Sequence, residues 1–371
     1  MESYNATVTE EIDRTATRNG LKESIDYCKS LKEGDYSNKD TFAKLADAIT
    51  TAEKAYTNVS DTRLNYKAAR DTLEKVRVAL TKNVSTESSN PKTFRILDKK
   101  TVIKEMGAGI NLGNTMDGGL YDSSETGWQA YKTTKDYIKA LHDAGYNTVR
   151  IPVTWGSHIN DDYTIDEAWI NRVQEIVDYC VDQDMYAIVN IHHDGAANHD
   201  DRGNNTPACW LDTYSQNIEK VYQKYEGVWN TIANRFKDYD EHVIFESMNE
   251  VTDAHGTATN EDDAVLNALN QLFINTVRAT GSNNTKRWLA ITGRFATTAA
   301  ITTMPEDTLA DSGDLGTTRL MFAVHIYKSN NNVRWSYDDL KQWQSSMSSS
   351  YKNVGNCLLY TSPSPRDRSV S

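Results

Sequence analysis

From about residue 100 onward, short apolar runs alternate with longer stretches of helical period. This alternation limits the fold more than any other feature of the chain. The runs fall at 106–112, 148–153, 186–191, 243–248, 288–291 and 320–325. Between them, residues 134–144, 166–183, 218–237 and 261–280 carry apolar residues at helical spacing. Asp166 and Glu167 place acids at the start of the second of these stretches, which suits a helix dipole. Near-continuous apolar runs are how parallel strands buried on both faces read. Parallel neighbours in turn need a long crossover, usually a helix. The pattern predicts an α/β fold with a parallel sheet, either a barrel or a doubly wound sheet. No Gly-x-Gly-x-x-Gly follows a strand, so the dinucleotide-binding version lacks support.

Polar residues stand where these strands end. Asn114 follows the first, and Arg150 lies within the second. The third runs into His192-His193-Asp194, the fourth into Asn249-Glu250, and the sixth into His325-Ile326-Tyr327. An arginine inside an apolar strand is costly to bury unless a carboxylate pairs with it. Glu246 lies four residues before Glu250 and faces the same side, deeper in the strand. It reads as a structural partner for buried polar groups, Arg150 among them. Any one of these residues could be a stability device, and Glu250 alone could be a solvated acid. Polar groups at the same end of nearly every strand read instead as a converging site, with Glu250 as a proton donor. The His192-His193 pair also invites a metal reading. Adjacent residues on a strand point to opposite faces, so the two are not expected to share an ion. The four cysteines (Cys28, Cys180, Cys209 and Cys357) show neither CxxC pairing nor metal spacing. No metal and no cofactor are expected.

The formal net charge of −12 argues against nucleic acid and anionic membranes as partners and fits a neutral or cationic substrate. No apolar run is long enough for a membrane span. The 8 Trp and 20 Tyr suit the gripping of flat faces beside hydroxyls, as on sugars, although most are expected in the core. Residues 1–85 contain neither Pro nor Trp and show helical periodicity with breaks near 34–38 and 56–61, which predicts three helices. A polar stretch with the first proline, Pro91, makes 86–99 a linker, and 100–356 the main domain.

Six motifs now stand in order: Asn111-Leu112-Gly113-Asn114-Thr115, Glu125-Thr126-Gly127-Trp128, Val149-Arg150-Ile151-Pro152, Asn190-Ile191-His192-His193-Asp194, Phe245-Glu246-Ser247-Met248-Asn249-Glu250 and His325-Ile326-Tyr327. Together they resemble glycoside hydrolase family 5, a (β/α)8 TIM-barrel family of retaining glycosidases. The set resembles its bacterial endo-β-1,4-glucanases, including the subgroup that takes xyloglucan and mixed-linkage glucans. The resemblance covers roughly 100–356. It implies that Glu250 is the acid/base and that Asn249 binds the sugar 2-hydroxyl. It implies that Arg150 holds a nucleophile ionised, and that His192, His325 and Tyr327 orient that nucleophile and the sugar ring. His193, Trp128 and Asn114 would line the substrate cleft; for His193 the alternative is a supporting hydrogen bond. Val251 stands where the family usually has proline, which would alter the loop and leave the acid in place. Residues 1–85 resemble the small three-helix FIVAR-type modules of extracellular bacterial polysaccharide enzymes, the alternative being a plain helical spacer.

A retaining glycosidase needs a second carboxylate. The resemblance places it on strand seven, and nothing after Tyr327 offers it. A helix is expected over 337–351, with neither strand seven nor strand eight behind it. Residues 357–371 begin Cys-Leu-Leu-Tyr-Thr-Ser, which back-translates to TGT CTC TTA TAC ACA TCT, the reading of a transposase-type sequencing adapter in frame. That tail is expected to be an artefact on a truncated gene; a disordered Ser/Pro tail is the alternative. The chain as written is expected to be inactive and prone to aggregate, and its parent to be an extracellular, monomeric β-glucan hydrolase. A β-mannanase of the same family, or for the literal chain an inactive carbohydrate-binding fragment, stay open.

Overall fold

The computed structural model describes residues 2–86, 90–118, 124–195, 209–215, 217–252, 260–296, 305–307 and 318–325. Tyr327, the helix expected over 337–351 and the adapter-like tail lie outside the described residues.

Three helices come first: α1 (Glu2–Ser30), α2 (Lys39–Thr57) and α3 (Arg63–Val78). Their apolar faces meet in a core of Leu21, Ile25, Leu45, Ala52, Tyr66 and Leu73. Thr62 caps α3 by accepting from the Asn65 amide, one of the four donors a helix start leaves open.

The remaining elements follow the expected alternation. They are α4 (Lys99–Met106), β1 (Gly109–Asn111), α5 (Lys135–Asp143), β2 (Thr148–Ile151), α6 (Glu167–Val181), β3 (Tyr186–Asn190) and α7 (Ile218–Phe236). Then come β4 (Val243–Glu246), α8 (Asn260–Ala279), β5 (Leu289–Ile291) and β6 (Leu320–Phe322). Among the described residues the strands form one six-stranded parallel sheet in the order β1-β2-β3-β4-β5-β6. This order decides between the two architectures. A doubly wound sheet reverses its strand order at a switch point; here each strand pairs with its sequence neighbour, as in a (β/α)8 barrel.

Strand alternation divides the core accordingly. Val149, Ile151, Ala187, Val189, Val243, Phe245, Leu289, Ile291, Leu320 and Phe322 pack outward with the helices. Tyr186, Ile188, Ile244, Ala290 and Met321 point inward. Val102 and Met106 of α4 join that inner cluster, so α4 closes the floor of the barrel. The apolar run was expected to be strand from Met106 onward; instead Asp98 caps a helix by accepting from Lys100 and Thr101, and the strand starts only after Gly107 turns the chain at φ 53°.

The helical segment is fastened to the barrel. Arg77 of α3 is buried between two acids of α7, with Nε 3.2 Å from Glu219 and Nη2 2.8 Å from Glu226. Asn275 of α8 donates to the carbonyls of Val78 and Leu80, and the Ser85 amide donates to the Ala279 carbonyl. Further on, the amides of Asn90 and Lys92 bond to Asp238.

Candidate active site

The inner face changes character toward the carboxyl ends of the strands. Arg150 on β2 reaches across β3 to Glu246 on β4 in a two-pronged pair, Nε–Oε2 2.7 Å and Nη2–Oε1 2.5 Å. Both side chains are fully buried. Burial would push the Glu246 carboxyl up, but the Arg150 guanidinium outweighs it and holds the acid below its ordinary range. The pair is therefore ionised, and it anchors what lies above. Nη2 of Arg150 also donates to Asn249 Oδ1 at 3.0 Å. This orients the Asn249 amide and turns its NH2 to the other side.

Asn190, at the end of β3, sets the state of His192. Its Oδ1 accepts from the Val153 amide, and its Nδ2 faces Glu246 at 3.3 Å and His192 Nδ1 at 3.1 Å. The amide can only be a donor toward Nδ1, so the imidazole proton sits on Nε2. Burial first, then the charges of His193, Arg150 and His325, hold His192 neutral, well below its ordinary value.

Glu250 stands beyond β4, where the Asn249 amide still pairs with the Ile191 carbonyl. Its Oε1 lies 2.5 Å from Nδ1 of His325, which follows β6. The β4 end is backed from outside the barrel: Tyr225 OH and Trp229 Nε1 of α7 donate to the Ser247 carbonyl at 2.9 and 3.2 Å. Glu250 is half-buried.

Beyond His192, His193 meets Trp128 edge-on, with ring centroids 5.3 Å apart. The His193 amide donates to Thr154 Oγ1, and its Nε2 lies 3.8 Å from Asp117 Oδ2. Burial raises the Asp117 carboxyl to about 6 although backbone amides of its own loop bond to it. That loop includes Asn114, which adopts the left-handed conformation (φ 61°) that asparagine tolerates. Asp194 is buried too. It accepts from the Trp155 amide and from Trp210 Nε1 at 2.7 Å, and burial lifts it to about 7.

The two adjacent histidines were expected on opposite faces. They lie together instead, with ring centroids 4.5 Å apart, because β3 ends at Asn190 and strand alternation ends with it. Donor atoms of Asp117, His192 and His193 all fall within 4.8 Å of one another. A shared ion would still need a bare nitrogen on His192. Its Nδ1 lone pair is taken by Asn190 and its Nε2 by the proton, so these residues suit hydrogen bonding better than ligation.

A family model for cellulase (glycosyl hydrolase family 5) matches residues 88–360. The chain belongs to glycoside hydrolase family 5. Endoglucanase B of Clostridium cellulovorans is 37% identical over 268 residues, covering 70% of this chain and 56% of the relative. Endoglucanase A of Ruminococcus albus is 34% identical over 261 residues, covering 68% and 67%. Among solved structures, a family 5 xyloglucanase from Paenibacillus pabuli superposes with a TM-score of 0.56 at 36% identity, covering 62% of this chain and 64% of the other. A family 5 enzyme from Prevotella bryantii gives 0.61 at 29% identity, covering 71% and 78%. The chain spans about half the length of most of the curated relatives it matches.

Within this family 5 domain, the structure brings Arg150, Asn249 and Glu246 into one bonded group and places Glu250 on His325. His192, His193 and Trp128 form a second group, linked to the first through Asn190. Three participants had no role assigned from sequence: Asp117, Asn190 and Asp194. Asn190 and Asp194 sat inside a quoted motif. Asp117 carried only the weak signal of an acid shortly after a strand end.

Proposed function

We propose that the parent protein hydrolyses β-1,4-glucan chains internally with retention at the anomeric carbon, and that Glu250 is its acid/base. The observation that carries this reading is the bonded series Glu246–Arg150–Asn249 leading to the half-buried Glu250 on His325, at the carboxyl ends of β2, β4 and β6. In this reading Glu250 protonates the glycosidic oxygen as a second carboxylate, about 5–5.5 Å away, attacks the anomeric carbon. It then takes a proton from the water that releases the sugar. The fixed Asn249 amide donates to the sugar 2-hydroxyl, and Trp128 supplies a flat apolar face for a glucose unit. His325 holds the acid in place, and His192 presents Nε2–H toward the cleft.

The relatives guide the substrate class. One solved neighbour is a xyloglucanase and another, from Ruminococcus champanellensis, is a broad-specificity endoglucanase with bound cellotriose. Cellulose, xyloglucan and mixed-linkage glucan are accordingly the proposed substrates, met outside the cell because such polymers do not enter it. Residues 1–85 are proposed to be a FIVAR-type module.

Affinity electrophoresis in gels holding xyloglucan, carboxymethylcellulose, lichenan or mannan tests the reading. Retardation by the β-glucans and not by mannan is the expected result; no retardation by any β-glucan sinks it. In full-length protein, Glu250→Gln should remove most turnover on these polymers while leaving retardation intact.

A further inference from the structure

Glu125 opens a motif of which the proposed chemistry uses only Trp128. We propose that it is a positioning residue, whose carboxylate staples the loop after β1 to α6 and so holds Trp128 against His193 at the edge of the cleft. The inference rests on the β-glucan reading only in taking Trp128 as a sugar platform.

Glu125 is 5% exposed, in a loop where Tyr131 is 80% exposed. An acid buried at the base of an exposed loop needs partners, and it has a full set. Oε1 accepts from the Thr133 amide at 2.7 Å and from Arg172 Nη2 at 2.8 Å, while Oε2 accepts from Arg172 Nε at 2.8 Å. Nη2 of Arg172 also donates to the Thr133 carbonyl at 2.6 Å. One guanidinium and one carboxylate thus tie both ends of the segment 125–133 to the same point on α6. The arginine is itself held from behind: Nη1 bonds to Glu175, which accepts from Tyr179 OH.

Inside the staple the hydrogen bonds among described residues are local. Thr126 and Gly127 bond back to Ser124, and Gln129 bonds to the Tyr131 carbonyl. Among the described residues, Trp128 is positioned from two places. One is the Glu125–Arg172 pair, three residues away. The other is the surface the indole covers, the edge of His193 and the buried Cys209. A bidentate arginine–carboxylate pair fixes direction as well as distance, which a single lysine contact would not. Without it, the loop would have to order each time a sugar stacked, at a cost in affinity.

Glu125→Gln keeps the shape and removes the charge. Arg172→Met cuts the same pair from the other side and covers the case in which the first variant fails to fold. Two readouts apply to each, and to Trp128→Ala and the Glu125→Gln/Trp128→Ala double variant. The first is affinity for xyloglucan by gel retardation. The second is the rate at which Cys209 reacts with a maleimide, followed by peptide mass. Each single variant should weaken retardation by roughly three- to tenfold and speed Cys209 modification several-fold. The double variant should be no weaker than Trp128→Ala alone, because Glu125 acts through the indole. Additive losses in the double variant, or Cys209 reacting at the wild-type rate in Glu125→Gln and Arg172→Met, would overturn the proposal. If the wild-type chain is not retarded at all, the β-glucan reading fails, and the Cys209 rates alone still decide whether Glu125 holds Trp128.

Discussion

Nδ1 of His325 lies 2.5 Å from Oε1 of Glu250, so the ends of β4 and β6 are joined across β5 by their side chains. The contact spans 75 positions of sequence and is nearly closed to solvent on the histidine side. If the two side chains act as a pair, their deletions should not add. Glu250→Gln, His325→Ala and the double variant, compared by urea denaturation, should show a coupling of about 1 kcal/mol. Additivity within a few tenths of a kcal/mol would mean that the contact contributes nothing.

Arg77 offers a sharper case, because its two partners are buried with it. Arg77→Met leaves Glu219 and Glu226 without their shared cation, a type of change that typically costs about 3–5 kcal/mol. The expected result is a large drop in the urea midpoint, with new proteolytic cuts between α3 and α4. A variant that melts like wild type would show that the helical segment is held by its apolar contacts instead.

Acidity should stabilise this protein down to moderately low pH. Burial raises Glu74 to about 8 and Asp194 to about 7. The folded chain keeps protons on these acids that the unfolded chain, near the ordinary 4.5 and 3.8, has already released. Stability from these groups therefore falls as pH rises from about 4 to about 8. His242 adds in the same direction: burial opposes its charge, but Asp240 at 3.1 Å outweighs it and raises the imidazole, so its contribution fades as pH climbs past its folded value. Paired acids such as Glu226 and Asp240, held below their ordinary values, take stability away at the acid end. Thermal melts should give a higher Tm near pH 5.5 than at pH 8, and Glu74→Gln should flatten that slope. A Tm that climbs steadily to pH 8 would contradict the assignment.

Arg287 caps the junction of α7 and β4 without any carboxylate. Its five N–H groups meet five acceptors: Asn284 Oδ1 and the carbonyls of Phe236, Tyr239, Asp240 and Val243. Lysine has three donors and no fork. Arg287→Lys should therefore cost about 2–3 kcal/mol in a urea titration, since buried carbonyls lose their partners. A loss below about 0.5 kcal/mol would mean that water replaces the guanidinium freely.

How much of this could be read from residues alone depended on range. The strands after β1 were legible because Val, Ile and Phe runs are a local signal, and the Arg150–Glu246 pairing followed from the cost of a lone buried charge. Barrel order as against a doubly wound sheet was not legible in the periodicity alone, because strand order is set by which neighbours pair; it was the motif resemblance to family 5 that pointed to the barrel. α4 was hidden because its Val102 and Met106 face the barrel floor and merge, in sequence, with the strand that follows. His192 and His193 were misjudged for a similar reason, since the end of β3 depends on pairing with β4. Arg77 meets Glu219 and Glu226 across 142 and 149 positions, and no periodicity reports such a contact.

The seam between α3 and the barrel also has a consequence for motion. α1 alone runs 29 residues, a rod of about 43 Å. Clamped at the seam by Arg77, Asn275 and Ser85, the rod cannot swivel on a tether; it must turn with the barrel, like an oar lashed to its boat. A dye placed near Lys29 should then show one slow rotational correlation time for the whole particle. Whatever is joined to this face inherits a fixed bearing toward the mouth of the cleft.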